Sequence, residues 1–509
     1  MEINCTKHSV TAEEKIFSAN GSHELKTTLP VNSGHTPKKI LKCSLKAFVT
    51  STRISEKTAM VEGICTLCAI CIDEEDRLFS AERTVTFSKS FEAGVSLSGG
   101  EVRALVDEDK LTAQISQNGQ IDINGELYIS VTVIRAVKEN VICDIDGKNI
   151  EQRHMATGIT MPMGSGEKNL ICEEEISVGN GQPSVECLIR HRADAVIEET
   201  KIVGKKVMIK GSFRIYVLYL PEEGTRPQSF EEAYPFSQLM DIDGLSENCR
   251  VHAQATVIFC ELTPRPDIDG DLRSFAANLK LLVTAKAYCD DDIPLVCDAF
   301  STDKKLELSR KELCFSRIKE NINEKFIARK ELEFTDGAIG SVIDMWCENR
   351  SSTCRFEDGK LKIIGTIMLN LLAYDSEGVP NCYERPVDFE YAHPCDGEAD
   401  MLSAQYSVTV TKCTYAMTAV NTLSIAAEPT VEASVYENCK TELITEAELS
   451  QEKASSDRVS SIILYFADAG ENIWDIAKKY NSSISEIKEL NGITEDILSE
   501  AKKFLIPTK

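Results

Sequence analysis

Residues 63–76 read GICTLCAICIDEED. Cys65, Cys68 and Cys71 follow one another at intervals of three, as at the start of an iron–sulfur or zinc motif. The same stretch has two counterparts in the chain, GSFRIYVLYLPEEG from Gly211 and GTIMLNLLAYDSEG from Gly365. Each opens with Gly, runs through mostly apolar residues and ends in an acidic turn. The starts lie 148 and 154 residues apart, a period of domain size rather than of a solenoid unit. In register, Cys65 becomes Phe213 and Ile367, Cys68 becomes Tyr216 and Asn370, and Cys71 becomes Tyr219 and Ala373. Side chains alternate sides along a strand, so residues 65 and 71 face one way and 68 the other. A straight strand cannot bring all three to one ion. Buried cysteine behaves as a small hydrophobe, and no metal site is expected here.

The likeness extends outward. HELKTTLPVNSG, EEISVGNGQPS and KELEFTDGAIGS lie upstream of the three copies. Alternating, β-branched runs lie downstream, among them QIDINGELYISVTVIRA, VHAQATVIFCELTP and YSVTVTKCTYAMTAV. Such runs predict half-buried strands joined in long hairpins. The expected fold is therefore mainly β: three similar β-rich domains at 1–157, 158–307 and 308–445. A polar linker follows at 446–461, and a small βααβ domain occupies 462–509.

Composition bounds the function. Asp plus Glu number 81 against 56 Lys plus Arg, a formal net charge of -25. A chain this acidic repels phosphate backbones, so no nucleic acid is expected as a partner. MEINCTKHSVTAEEKIF has no basic segment leading into an apolar core, and no apolar run is long enough to span a bilayer; neither a secretory signal nor membrane insertion is expected. The 19 cysteines are scattered without a compact framework, which reads as reduced thiols in a cytosolic protein.

Other tempting motifs dissolve. CDDDIPLVCD, from Cys289 to Asp298, reads as an acidic turn entering a strand rather than a metal site. The seven histidines form no H-x-x-x-H pair. PMGSGEKNL fails as a phosphate loop, because Glu167 follows Gly166 and Asn169 follows Lys168. No G-x-S-x-G or H-E-x-x-H occurs, and in the three aligned strands, before the acidic turn, no polar residue recurs at one place. No catalytic residue and no cofactor are expected, and the chain reads as a non-enzyme.

The texture changes at residue 462. IILYF is a short strand, and Asn472 can cap a helix in which Ile473, Ile476, Ala477 and Tyr480 form one buried face. Ser483 and Glu486 make a capping box for a second helix, Asn491-Gly492 ends it, and KFLIP closes the sheet. The stretch YFADAGENIWDIAKKYN resembles a LysM domain, with Tyr465, Gly470, Ile473, Trp474, Ile476, Ala477 and Tyr480 on the family's pattern. That resemblance implies binding of N-acetylglucosamine polymers such as peptidoglycan. It places the groove between the loop before the first helix, with Gly470, Glu471, Asn472, Ile473 and Trp474, and the loop after the second, with Ile493, Thr494, Glu495 and Asp496.

Repeated β-rich domains before one terminal LysM resemble the clostridial SPOCS-repeat proteins of the spore coat. This implies a scaffold made in the mother-cell cytoplasm and assembling on the forespore surface, whose LysM domain docks onto the basement-layer spore coat morphogenetic ATPase. Similar surfaces repeated on one chain convert modest contacts into avidity. The alternative is a peptidoglycan-binding protein that uses the LysM groove. Glu471, Glu495 and Asp496 in the loops would repel an anionic wall polymer and attract a basic protein patch.

Overall fold

The computed structural model describes residues 3–31, 34–179, 181–222, 226–334, 339–419, 421–453 and 462–507. Among the described residues strand dominates, and the two α-helices lie near the C-terminus. The first unit comprises β1 (Asn4–Leu29), β2 (Pro37–Ser55), β3 (Thr58–Asp73), β4 (Leu78–Glu92), β5 (Gly100–Ile115) and β6 (Ile121–Asp146). Strands β2, β3 and β4 form an antiparallel meander with β3 central. Strands β1, β6 and β5 form a second sheet with β6 central. Leu67, Cys65 and Cys71 from the first sheet and Leu127, Ile129 and Val131 from the second fill the core between them.

The second unit repeats this plan with β7 (Ile150–Ser177), β8 (Val185–Val203), β9 (Lys206–Pro221), β10 (Gln228–Asp241), β11 (Arg250–Pro266) and β12 (Leu272–Ser301). Its sheets run β10-β9-β8 and β11-β12-β7. The third unit divides the first long strand into β13 (Lys304–Lys325) and β14 (Ala328–Glu333). It continues with β15 (Ile339–Glu357), β16 (Lys360–Asp375), β17 (Pro380–Pro394), β18 (Leu402–Ala419) and β19 (Thr422–Lys453). The opening stretch and its two counterparts are the central strands β3, β9 and β16.

The repeated glycines mark one packing device. Gly63 pairs with Val49 and Phe87, Gly211 with Ile197 and Phe236, and Gly365 with Ser352 and Phe389. On the preceding strand the ladder slips beside each glycine, at Val49/Ser51, Ile197/Glu199 and Asn349/Ser351. The bulge turns a carbonyl oxygen over the glycine while the Phe ring of the following strand lies across it. A Cβ there would come within 2.2–2.4 Å of that oxygen, so only glycine fits. The acidic residues after the strand serve the turn. Asp73 Oδ1 accepts hydrogen bonds from the Glu75 and Arg77 amides, and Asp375 Oδ1 accepts from the Glu377 and Val379 amides.

Cys65 and Cys71 are fully buried in the first core, and burial pushes both thiols up to about 12. Cys68 leaves on the opposite side, toward the second unit's Arg190. The three units then close on one another. Ile70 and Ile72 of the first, Leu218 and Leu220 of the second, and Leu372 and Trp346 of the third share one cluster. Each pair of units also exchanges an ion pair: Arg77–Glu186 at 3.2 Å, Arg190–Asp344 at 2.8 Å and Lys42–Glu384 at 2.5 Å. A second cluster joins Val10 and Val141, Ile293 and Leu295, and Leu313, Phe315 and Leu443.

Pairing corrects several expected boundaries. The divisions at 157/158, 307/308 and 445/446 fall inside β7, β13 and β19, because hydrogen bonding continues to Ile150, Lys304 and Lys453. The sheets instead break at 147–149 and 302–303. Glu446–Leu449, read as linker, pair with Ser309–Leu306, polar alternation on an exposed strand having looked like loop. Residues 454–461 lie outside the described residues. Likewise CDDDIPLVCD is no turn; it runs within β12 against β7.

Candidate functional site

Residues 462–507 fold as β20 (Ile462–Ala467), α1 (Ile473–Tyr480), α2 (Ile484–Asn491) and β21 (Lys502–Pro507), the two strands antiparallel. Ile473, Ile476, Ala477, Ile487, Phe504 and Ile506 are buried between helices and sheet. Asn472 caps α1, its Oδ1 accepting from the Trp474 amide at 2.9 Å. Asn491 ends α2 and holds β21: its amide donates to the Leu505 carbonyl at 2.8 Å, and its oxygen accepts from the Leu505 amide at 2.7 Å.

The two groove loops meet through their backbones. The Gly470 amide donates to the Leu498 carbonyl at 2.8 Å, the Leu498 amide to the Glu471 carbonyl at 3.0 Å, and the Ile473 amide to the Asp496 carbonyl at 2.9 Å. The expected site residues separate by role. Ile473 is buried, and Ile493 packs on the same core. Glu471 turns inward, accepting from the Tyr465 hydroxyl at 2.9 Å and the Asp468 amide at 3.1 Å; that bond pushes the Tyr465 phenol up. Gly470, Thr494, Glu495 and Asp496 are exposed, with Asp496 accepting from Lys488 at 2.5 Å.

Trp474 does not line the groove. It is 6% exposed and points at the second unit. Its ring meets Phe300 edge-on at 5.2 Å, and Arg153 lies 5.3 Å over it. Its indole N–H donates to Asp298 Oδ2 at 3.0 Å. Asp298 also accepts from Lys478 at 2.6 Å and from Arg310 at 2.7 Å. Burial pushes the Asp298 carboxyl up, but the Lys478 and Trp474 bonds and the charges of Lys478 and Arg310 outweigh it and hold it below the ordinary carboxylate range.

The expected capping box does not form. Ser483 makes no cap bond within the helix. Its hydroxyl donates to Glu151 of β7 at 2.7 Å, and the Ile484 amide points at the same oxygen at 3.3 Å. A carboxylate from the second unit thus takes over the N-terminus of α2. Asp298, Phe300, Glu151 and Lys478 were missed because their partners across this contact lie well over a hundred residues away in sequence; Arg310 is 12 residues from Asp298 but on the following strand, and no local pattern pairs the two.

The other side of the small domain is bare. Ile462, Leu464 and Phe466 of β20 and Leu505 of β21 project from the sheet away from the helices, Phe466 being 65% exposed. Lys503 covers part of the Phe466 ring at 5.4 Å.

The family model of the SipL SPOCS domain matches residues 184–264, and that of the LysM domain matches residues 468–507. The first match spans β8 to β11, within the second unit. No curated protein and no solved structure matches the chain. The two domains together are those of a sporulation-related protein with a peptidoglycan-binding type of module. Among the described residues no helix is long and apolar enough to cross a membrane.

Proposed function

We propose, for a SipL-like chain that joins a SPOCS domain to a C-terminal LysM domain, that the protein is a non-enzymatic scaffold of spore coat assembly. Its LysM domain docks onto another coat protein at the forespore surface, the basement-layer ATPase being the expected partner. The observation that carries this reading is the mounting of the LysM domain. Asp298, Phe300 and Glu151 hold one side of it against the second unit. The side left facing outward carries Leu464, Phe466 and Leu505, with Lys503 over the Phe466 ring, and an exposed loop of the same domain carries Glu495 and Asp496. Exposed apolar side chains on one surface and a carboxylate-bearing loop on the same domain suit a protein partner better than an anionic wall polymer. The closed units supply the rigid body on which that face is carried.

Deleting residues 462–509 from the chain in sporulating cells tests this. Loss of spore-surface assembly, with the remaining units still folded, is the expected result. Unaltered localisation, together with tight binding of chitin oligomers or peptidoglycan by the full chain, would favour the glycan-binding alternative, for which the Gly470 and Thr494 loops are the remaining exposed groove.

A further inference from the structure

In the third unit, Cys347 of β15 and Cys413 of β18 bring their sulfurs to 3.0 Å, the Cys347 thiol donating to Cys413. The two strands belong to different sheets of the same unit. The equivalent crossing in the first unit is made by Leu45 and Leu111: Leu45 pairs with Leu67, four residues after Gly63, as Cys347 pairs with Leu369, four after Gly365. Both leucines lie 3.4 Å from where a Gly125 Cβ would sit. In the second unit the corresponding residues are Ala193, paired with Ile215, and Cys260. One inter-sheet position thus holds Leu/Leu, Ala/Cys and Cys/Cys, and only the last can be joined covalently.

We propose that Cys347 and Cys413 form a redox-responsive pair that closes to a disulfide on contact with a small-molecule disulfide, tying the two sheets of the third unit together. The sulfurs need to approach by about 1 Å to reach bonding distance. Both side chains are half-buried. They line a cleft between the second and third units that presents Arg192 and Lys412 together with Glu231 and Asp344, so a small zwitterionic disulfide such as oxidised glutathione meets groups of both charges on its way to the sulfurs. The S–H that Cys347 donates to Cys413 favours a thiolate at Cys413, which makes Cys413 the attacking sulfur. Its thiolate attacks one sulfur of the small disulfide, whose S–S bond breaks to release one thiolate. Cys347 gives up its proton, attacks the Cys413 sulfur and expels the second thiolate. The protein loses two electrons and two protons, and the small disulfide becomes two thiols. In reducing surroundings the pair stays open.

The test uses the full chain, reduced, freed of reductant and then treated with oxidised glutathione. Free thiols are alkylated and the digest is mapped by mass without reduction. The expected product is a peptide linked through Cys347 and Cys413, with a melting temperature raised by about 5 °C and restored by dithiothreitol. Cys347→Ser should trap glutathione on Cys413, whereas Cys413→Ser should leave Cys347 largely unmodified. Recovery of both cysteines alkylated from oxidised wild-type protein would overturn the proposal, whether or not the variants fold. An equal melting shift in Cys347→Ser/Cys413→Ser would overturn the assignment of the shift to this pair.

Discussion

The two sides of the LysM domain are built from different chemistry. The inner side meets the second unit through one buried carboxylate, an indole N–H, an ammonium and a helix cap, with Phe300 inserted into the small domain's core. The outer side offers Ile462, Leu464, Phe466 and Leu505, all exposed, with Lys503 lying over part of the Phe466 ring. Directional bonds fix an angle between two bodies, whereas exposed apolar area gains free energy only when something else arrives. The comparison teaches that Trp474, one of the expected groove residues, serves the mounting, while the outward surface rests on residues that looked like ordinary strand.

Substitutions on the two sides should therefore behave oppositely. Phe300→Ala removes the ring shared by both bodies and should destabilise the LysM domain by about 3–4 kcal/mol, read as an earlier melting step. Asp298→Ala leaves Trp474, Lys478 and Arg310 without their common acceptor. A loss of about 2–3 kcal/mol is expected, the lower end reflecting water access at Lys478; hydrogen exchange in α1 should quicken. Asp298 also sets a pH dependence. Its folded carboxyl titrates below its unfolded value, so the contact is at full strength above the ordinary carboxylate range near pH 4 and is lost as pH falls through the lowered value. A pH titration of α1 exchange checks this, and in Asp298→Ala the acid limb should vanish. Glu151→Ala should cost about 1 kcal/mol, seen as fraying of the first turn of α2. Leu464→Ser with Phe466→Ser should move the melting temperature least, within about 0.5 kcal/mol for each exposed site. A large destabilisation there would break the contrast between the two sides.

Much of the fold was legible in the sequence because a repeated glycine is a strong marker. Gly63, Gly211 and Gly365 occur where a bulge carbonyl and a Phe ring leave no room for a side chain, so their spacing reported the unit period. The alternation of Ile, Val and Leu reported the strands. The unit limits were less legible, since β7, β13 and β19 continue as polar alternating strands whose pairing partners are distant. In the LysM domain the helix faces and the Asn472 cap followed from local spacing. The partners of Trp474 and Ser483 did not, because Asp298 and Glu151 reach them only through the folding of the second unit. Ser483 with Glu486 matched a capping box in sequence, and a carboxylate from another domain displaced it.

The most direct test of the docking reading is co-purification of the coat ATPase with the full-length protein from sporulating cells. Wild type is compared with Leu464→Ser/Phe466→Ser and with Glu495→Lys/Asp496→Lys, each first shown to melt like wild type. Capture should fall about tenfold or more in each variant, as expected when a central apolar anchor or complementary charge is removed. Undiminished capture by both variants, with wild-type melting, would contradict the account.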